Sequence, residues 1–590
     1  MTVSSEQRFD VVIFGAGLAG LTLSRHLLRE SDKRILVLDK SAKIPVARQK
    51  YGESTVQVGA YYFAKVLDLE EYLWHEHFMK YNLRFYFKTP GRDNQRFEDY
   101  SQTYIRNFSN IPCYQLDRNR FEADVLRLNQ ADPRFTLVAP AENIRVTLSE
   151  SGSHTINYGH DERQVVVHAD WVVDTTGRSR MLARRMELRE PTPINHGSAF
   201  MWVEGTVDIE KLTDSSPREI RLNKNRRVTG HIPHWLATNH FMGEGFWFWV
   251  IPLRKMTSLG LVYDNRLLDG RQLTAAESFR DWVCREFPLF AQDLPHRRIM
   301  DFNTLKSFAH GCTQTINASR WAMSGESGRF TDPLYSPGSD FIAFHNTLIV
   351  DAILCDDPRK LARKCWLAEM MMQSYYTSLM PTFATTYDAL GDQETFVLKY
   401  TWELSVYFSF FVFPFINDLI ADGHFIPGYL SRFSRMGVIN QNVQSLISGY
   451  YQWKKTQKMA TDEPMLHDLT VLEPLRRAEK TFYEIGLSAS EAIKVIDMQL
   501  ANLAELARFI VAYIHAAVLG DQRILISRSF VESIDFKTLA FDTSQMRANW
   551  NRHRDCPDEA RWSFDPTELH MFQSKSAKED IPVAAKKAVS

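Results

Sequence analysis

The 590-residue chain is poor in several features that would place it in a large class at once. Its six cysteines (Cys113, Cys284, Cys312, Cys355, Cys365 and Cys556) are scattered without a C-x-x-C pair, which suits a reducing, cytoplasmic setting. No H-E-x-x-H, cysteine cluster or G-x-S-x-G occurs, so metallohydrolase and esterase chemistry have no support and no metal is expected. His75 and His77, in LWHEHF, read as ordinary helix residues rather than ligands. An excess of one charge is missing too: 70 basic against 71 acidic residues leave nothing to draw nucleic acid, an acidic membrane or a polyanion. The longest apolar run, residues 404–416, is shorter than the ~20 residues of a spanning helix and contains Pro414, so it reads as buried core and no transmembrane segment is expected. The opening MTVSSEQRFD has neither the basic nor the apolar region of a signal peptide. No internal repeat is visible.

What is present begins at the N-terminus. Residues 9–20, FDVVIFGAGLAG, read as a buried strand running into a glycine turn, with an apolar-periodic helix over residues 21–29. RILVLDK follows as a second strand, which completes a β-α-β unit at the start of a parallel sheet. Residues 114–128 read as helix, and RFTLV, NIRVTL, HTINY and QVVVHADWVVD as strands. From about residue 341 to about 519 the pattern is helical. The expected architecture is α/β: a Rossmann-like, discontinuous cofactor domain over residues 1–354, a mixed or antiparallel sheet inserted at about 80–110 and 190–310, a helical C-terminal domain over 355–575, and a mobile tail over 576–590.

Gly15-x-Gly17-x-x-Gly20 sits between strand and helix, and Asp39 closes the second strand. Glycines let the backbone approach a pyrophosphate, the helix N-terminus supplies N–H donors, and the acid takes ribose hydroxyls. FAD and NAD share this fingerprint. Further along, GEGFWFWVIPL (residues 243–253) has the period of a strand, with Trp247, Trp249 and Ile251 on one face and Phe246, Phe248 and Val250 on the other.

Other motifs decide between the cofactors. Arg118 with Phe121 and Glu122 resembles the arginine-bearing helix of glutathione-reductase-like flavoproteins of the hydroxylase branch. HADWVVDTTGRSRMLAR, with Asp174 and Gly177, resembles their second strand-turn motif. WAMSGESGRFTDPLYSPG resembles their segment at the ribityl chain and ring, with Gly325-Glu326 where Gly-Asp is usual and with Pro333. W-x-W-x-I-P at Trp247, Trp249, Ile251 and Pro252 then resembles the signature of flavin-dependent halogenases. KYGEST, with Gly52, Glu53, Ser54 and Thr55, is similar to their flavin-bordering loop, and Lys80 in HFMKYNLRFYF aligns with their catalytic lysine. The resemblance covers about residues 9–354, and the helical remainder is similar to the longer halogenases.

The resemblance implies FAD, supplied reduced as FADH2 by a separate flavin reductase. Oxygen adds at C4a, chloride or bromide attacks the hydroperoxide, and hypohalous acid travels to Lys80 beside an aromatic substrate. It also implies that Trp247 and Trp249 separate flavin from substrate, and that Ser336, Pro337 and Gly338 border the halide and flavin ring, where the helix N-terminus stabilises a reduced-flavin anion. Ser336 suits an N-cap and Pro337 the first helical position. An unshifted lysine is neutral only about once in 2,500 molecules at pH 7, so a cationic donor role is favoured unless burial lowers its pKa by ~3–5 units.

Two departures bear on activity. Tyr335 stands where free-tryptophan halogenases carry a glutamate, which points to a phenolic, pyrrolic or resorcinol-like ring, free or carrier-bound. Pro337 has no N–H to give a halide, and Asp340 adds a nearby negative charge. The expected function is halogenation of an electron-rich aromatic, and the alternatives are hydroxylation, oxidation or desaturation by a halogenase-like flavoprotein without halide, or a flavin-bound sensor. A homodimer is an open expectation.

Overall fold

The computed structural model describes residues 7–105, 109–222, 232–457, 463–556, 559–560 and 562–572. The expected tail at 576–590 lies outside them.

The first strand, Gln7–Phe14, pairs in parallel with Ile35–Leu38 and with Arg163–Asp174. Ile35–Leu38 pairs onward with Phe135–Val138, and Arg163–Asp174 with Trp321–Met323, both in parallel. Val11, Val12, Ile13 and Phe14 are all buried, as a parallel strand covered on both faces requires. The helix Leu18–Glu30 crosses between the first two strands and starts three residues earlier than the apolar period suggested.

The second large sheet is mostly antiparallel and runs in the order Ile299–Leu305, His196–Glu204, Met256–Asp264, Phe246–Pro252, Thr238–Gly243, Leu83–Lys88, Tyr100–Tyr104, Leu466–Asp468. Its fourth strand is the tryptophan stretch. Trp247, Trp249 and Ile251 face one apolar core, and Phe246, Phe248 and Val250 face another, so the period-2 reading describes the strand as it stands. Residues 113–115 are a strand rather than the start of a helix. Cys113–Gln115 pairs with Phe78–Lys80, and the helix begins at Arg118 behind Asp117, whose carboxylate accepts the Arg120 N–H.

The helix Pro337–Ile353 ends near the expected boundary at 354, but the core does not stop there. One apolar cluster includes Val11, Trp247, Phe341, Phe396, Leu503 and Phe572, and the last strand of the second sheet comes from residues 466–468. The apolar run at 404–416 is buried inside this cluster as a broken helix. Gln393–Tyr407 passes through a π-turn, Phe408–Val412, into Phe413–Ile416, where Pro414 has no N–H to continue a regular ladder. The helix Ala489–Leu519 is long and apolar enough to cross a bilayer, which the charges within it concealed from a search for unbroken runs. Of its most apolar window 67% is buried in the protein, as in a core helix.

Candidate active site

The glycine turn is shaped for a pyrophosphate. Gly15 has φ +105°, and a Cβ there would stand 2.7 Å from the Thr175 carbonyl oxygen. A Cβ at Gly20 would run into the Gly15 carbonyl, so strand and helix approach as closely as they do only without side chains. At Gly17, the N-cap, nothing lies within 4 Å of such a Cβ, leaving open space over the helix N-terminus. Asp39 accepts the Ala16 and Ser41 N–H groups, each at 2.8 Å, which ties the end of the second strand to the turn.

Arg118 and Glu326 approach the same region through Tyr51. The Arg118 guanidinium donates to the Tyr51 carbonyl at 2.8 Å and to Glu122 at 2.6 Å, while its Nε is buried without a partner. Gly52 (φ +87°) lies against it: a Cβ there would be 2.7 Å from the guanidinium. The Tyr51 hydroxyl donates to Glu326 at 3.0 Å, and burial holds that carboxyl above its usual range. Gly325 (φ +63°) packs against Ala19 and Ile342. An open cradle, an orphaned cationic N–H and a buried acid suit a dinucleotide such as FAD. Asp174 does not join them. Its carboxylate accepts the N–H groups of Thr176 at 2.8 Å and Leu182 at 2.7 Å, so it fastens the turn around Gly177.

Lys80 is 5% exposed. Its ammonium donates to Ser54 Oγ at 3.1 Å, and the same oxygen accepts the Thr238 hydroxyl at 2.9 Å. The GEST loop is fastened to the strand opposite Lys80: Leu116 N–H donates to the Glu53 carbonyl at 2.6 Å, and Thr55 and Tyr114 bond each other's backbone groups. Gln115 of that strand donates to the Pro252 carbonyl at 2.6 Å, so the lysine strand, the GEST loop and the end of W-x-W-x-I-P are one assembly. Burial lowers the Lys80 pKa to about 8, against the opposing pull of Cys113 and Asp340. Burial also pushes the neighbouring Cys113 thiol up to about 11.

Lys80 lines a cavity of about 630 Å³ together with Val56, Cys113, Tyr335, Pro337 and Asp340. Trp247 and Trp249 are not among its lining residues. Instead each indole anchors a loop. Trp249 Nε1 donates to Ser258 at 3.0 Å, and Ser258 and Trp202 both hydrogen-bond the buried Glu53 carboxylate of the GEST loop. Trp247 Nε1 donates to the Tyr387 hydroxyl at 2.7 Å, which donates to Asp332 at 3.1 Å. Asp332 also meets His196 at 2.6 Å and accepts the Leu334 N–H at 2.8 Å, next to Pro333.

Tyr335 and Ser336 are both left-handed, with φ of 68° and 60°. Two such non-glycine residues in succession are strained by roughly 1–2 kcal/mol each, and such strain collects where backbone groups must be aimed. Ser336 occupies the N-cap as its residue type suggested, but in this conformation its side chain makes no capping bond. The helix starts at Pro337, so the first N–H groups it offers are those of Gly338 and Ser339. The Ser339 hydroxyl is buried without a partner. Asp340 is occupied: it accepts the Gly59 N–H at 2.7 Å and the Tyr407 hydroxyl at 2.8 Å. Burial raises its pKa to about 7, so the charge held against an anion is partial at neutral pH.

Asp332, Tyr387, Tyr407, Ser258 and Trp202 were not singled out from sequence. Asp332 alone had a local signal, since it lies inside DPLYSPG. Ser258 lies nine residues from Trp249 on the next strand of the hairpin, and Tyr387, Tyr407 and Trp202 reach their partners across distances in the chain that no short motif spans.

The fold and site are those of an α/β protein with a glycine cradle that suits a dinucleotide such as FAD, a buried lysine at the wall of a cavity and a strained loop heading a buried helix. The NAD(P)-binding Rossmann-like domain family matches residues 13–81. Flavin-dependent halogenase chlA of Dictyostelium discoideum is 27% identical over 57% of this chain and 58% of its own length. Tetracycline 7-halogenase of Kitasatospora aureofaciens is 26% identical over 57% of this chain and 62% of its own. The chain therefore spans less than two thirds of the length of these two relatives. A 1H-pyrrole-2-carbonyl-[peptidyl-carrier protein] chlorinase of Pseudomonas fluorescens is 24% identical over 57% of this chain and 73% of its own length. Among solved structures, halogenase PltM in complex with phloroglucinol and FAD superposes with a TM-score of 0.58 at 16% identity, covering 85% of this chain and 98% of that one. The chain is a homologue of the flavin-dependent halogenases and shares their fold.

Proposed function

We propose that the protein is an FADH2- and O2-dependent halogenase of an electron-rich aromatic ring. The observation that carries this reading is Lys80: a buried ammonium held by the GEST loop at the wall of a cavity that also borders Pro337 at the head of the flavin-loop helix. FAD, when bound and reduced, supplies with O2 and halide the oxidised halogen. The chain's own residues do the rest. Gly17 and the helix behind it receive the pyrophosphate, Arg118 its charge, and Gly338 and Ser339 offer N–H donors to an anion. The Lys80 ammonium donates a hydrogen bond to the hypohalous acid and aims it into the cavity, whose apolar walls exclude water.

A separate reductase delivers the reduced cofactor, since Asp174-Thr-Thr-Gly177 departs from the Asp-Gly associated with NADPH use. The relatives' names concern a pyrrole on a carrier protein and a phloroglucinol complex, which supports a phenolic or pyrrolic substrate here, free or carrier-bound. Oxygenation without halide is kept as the second reading by Pro337 alone, which removes one N–H from the anion site.

The test supplies purified protein with FAD, a flavin reductase, NADH and chloride or bromide, and follows phenols and pyrroles by mass spectrometry. Halogenated product that depends on halide is expected. Turnover to an unhalogenated product, indifferent to halide, would overturn the reading.

A further inference from the structure

The cavity has a mouth and a floor. Trp74, Arg476 and Lys480 are exposed at one end, whereas Glu403, at the other, has a side chain only 8% exposed. Glu403 Oε1 accepts from Lys399 and from Gln444, the latter at 2.7 Å. Glu403 Oε2 and the Tyr335 hydroxyl are both buried, and the phenol has the Glu403 carboxylate as its hydrogen-bonding neighbour. Lys399 is spent below the floor, donating also to the Thr382 carbonyl and the Thr386 hydroxyl at 2.9 Å each. A carboxylate oxygen that meets a single phenol still has lone-pair capacity for the O–H of a ligand.

We propose that Glu403 and Tyr335 hold the hydroxyl of a phenolic substrate ring at the floor of the cavity. The Oε2 atom accepts the substrate O–H, and the Tyr335 hydroxyl donates to the substrate oxygen. A hydroxyl satisfies both groups at once. A pyrrole N–H can donate but cannot accept, and an aryl ether can accept but cannot donate. The site thus places a carboxylate on the helix Gln393–Tyr407 against the ring's substituent, although residue 335 itself is a tyrosine. A charge-assisted bond from the ring hydroxyl also leaves more electron density on the ring, which favours electrophilic attack. Burial and the Glu403 charge keep the Tyr335 phenol protonated, as a donor must be.

This inference rests on reading the cavity as the substrate pocket of an aromatic halogenase, and its test is binding rather than turnover. Resorcinol and 5-pentylresorcinol, each beside its dimethyl ether, are titrated into the protein without flavin reductase, and affinity is read by calorimetry. At least about 10-fold preference for the free phenol of a pair is expected, as for other sites built to bond a substrate hydroxyl. Glu403→Gln should abolish most of that preference and Tyr335→Phe part of it, with the ethers bound as before. Because Glu403→Gln leaves Lys399 buried without its counter-ion, the double variant Glu403→Gln/Lys399→Met serves as the second arm and should lose the preference equally. No preference in the unaltered protein, or a preference that survives in the double variant, overturns the role of Glu403. Halogenation of any aromatic by that same protein would leave the reading of its function standing.

Discussion

With a pKa of about 8, Lys80 carries its proton in about nine molecules of ten at pH 7, so the donor state dominates while the neutral amine is no longer rare. The two roles separate by pH. If the ammonium orients hypohalous acid, halogenation falls as pH rises through about 8 while oxidation of reduced flavin continues; a rise over that window would identify the amine as a nucleophile. Lys80→Ala should lower halogenation by about 10²–10⁴-fold, the usual worth of a positioned acid, with oxygen consumption retained. Undiminished product by mass spectrometry would remove Lys80 from the chemistry. Asp340 gives a stability signature of defined sign. Its folded pKa of about 7 lies above the ordinary 3.8, so the folded protein holds a proton that the unfolded chain releases between about 4 and 7. Stability is therefore lost as pH rises through that window, and the full cost stays above it. Lys80 acts in the opposite direction higher up, since stability recovers between about 8 and 10.5 as the unfolded chain gives up the proton the folded one lacks. Asp340→Asn should raise Tm at pH 7.5 and leave it nearly unchanged at pH 4, as measured by thermal unfolding at both. Equal shifts at the two pH values would show that the carboxyl titrates normally.

At the scale of elements, the strand Phe246–Pro252 acts as a brace, its two indole N–H groups bonded to Tyr387 and Ser258. Its alternation was legible from sequence because a pleated strand has period 2 whatever surrounds it. Its purpose was not, because Tyr387 and Ser258 are the partners of the two indoles, and Tyr387 is separated from Trp247 by 140 residues. The same limit hid Tyr407, which answers Asp340, and Glu403. The glycine cradle, by contrast, is local: strand, turn and helix form from adjacent residues, so Gly15, Gly17, Gly20 and Asp39 could be placed from spacing. Ser336 lies between these cases. Its residue type located the helix start, while its left-handed backbone is imposed by the turn from Pro333, whose carbonyl accepts the Ser336 N–H at 2.9 Å. A wall needs only rings, whereas a brace needs the indole N–H. Trp247→Phe and Trp249→Phe should therefore each cost about 1–3 kcal/mol, the penalty for leaving a buried partner unsatisfied, and Trp249→Phe should also weaken FAD binding by loosening Glu53. Chemical denaturation and FAD titration measure the two effects; a neutral outcome in both would overturn the brace.

At the scale of the whole molecule, the change to helical composition past residue 341 was legible, and it suggested an added C-terminal helical domain. The core runs across the expected boundary at 354. Phe85 of the second sheet packs on Phe396 and Tyr400 at ring distances of 4.5 and 4.8 Å, Gln393 donates to the Gln102 carbonyl at 2.9 Å, and Leu466–Asp468 extends the sheet itself. Composition cannot reveal such interleaving, since a helix that caps a foreign sheet and one that packs on its own kind need the same apolar face. The helices also supply Tyr387, Tyr400, Glu403 and Tyr407 to the loop and the cavity, so removing them would open the site as well as the core. A chain ending at residue 354 should consequently fail to give folded, FAD-binding protein, because the apolar face of the helix Pro337–Ile353 would lose its cover. The intact chain should unfold in one calorimetric transition, and saturating FAD should raise that whole transition, since a ligand bound to the folded state stabilises everything that unfolds with it. Two transitions, of which FAD moved only one, would mean that the helical region is a separate folding unit after all, and that the residues it lends to the cavity are held by docking rather than by a shared core.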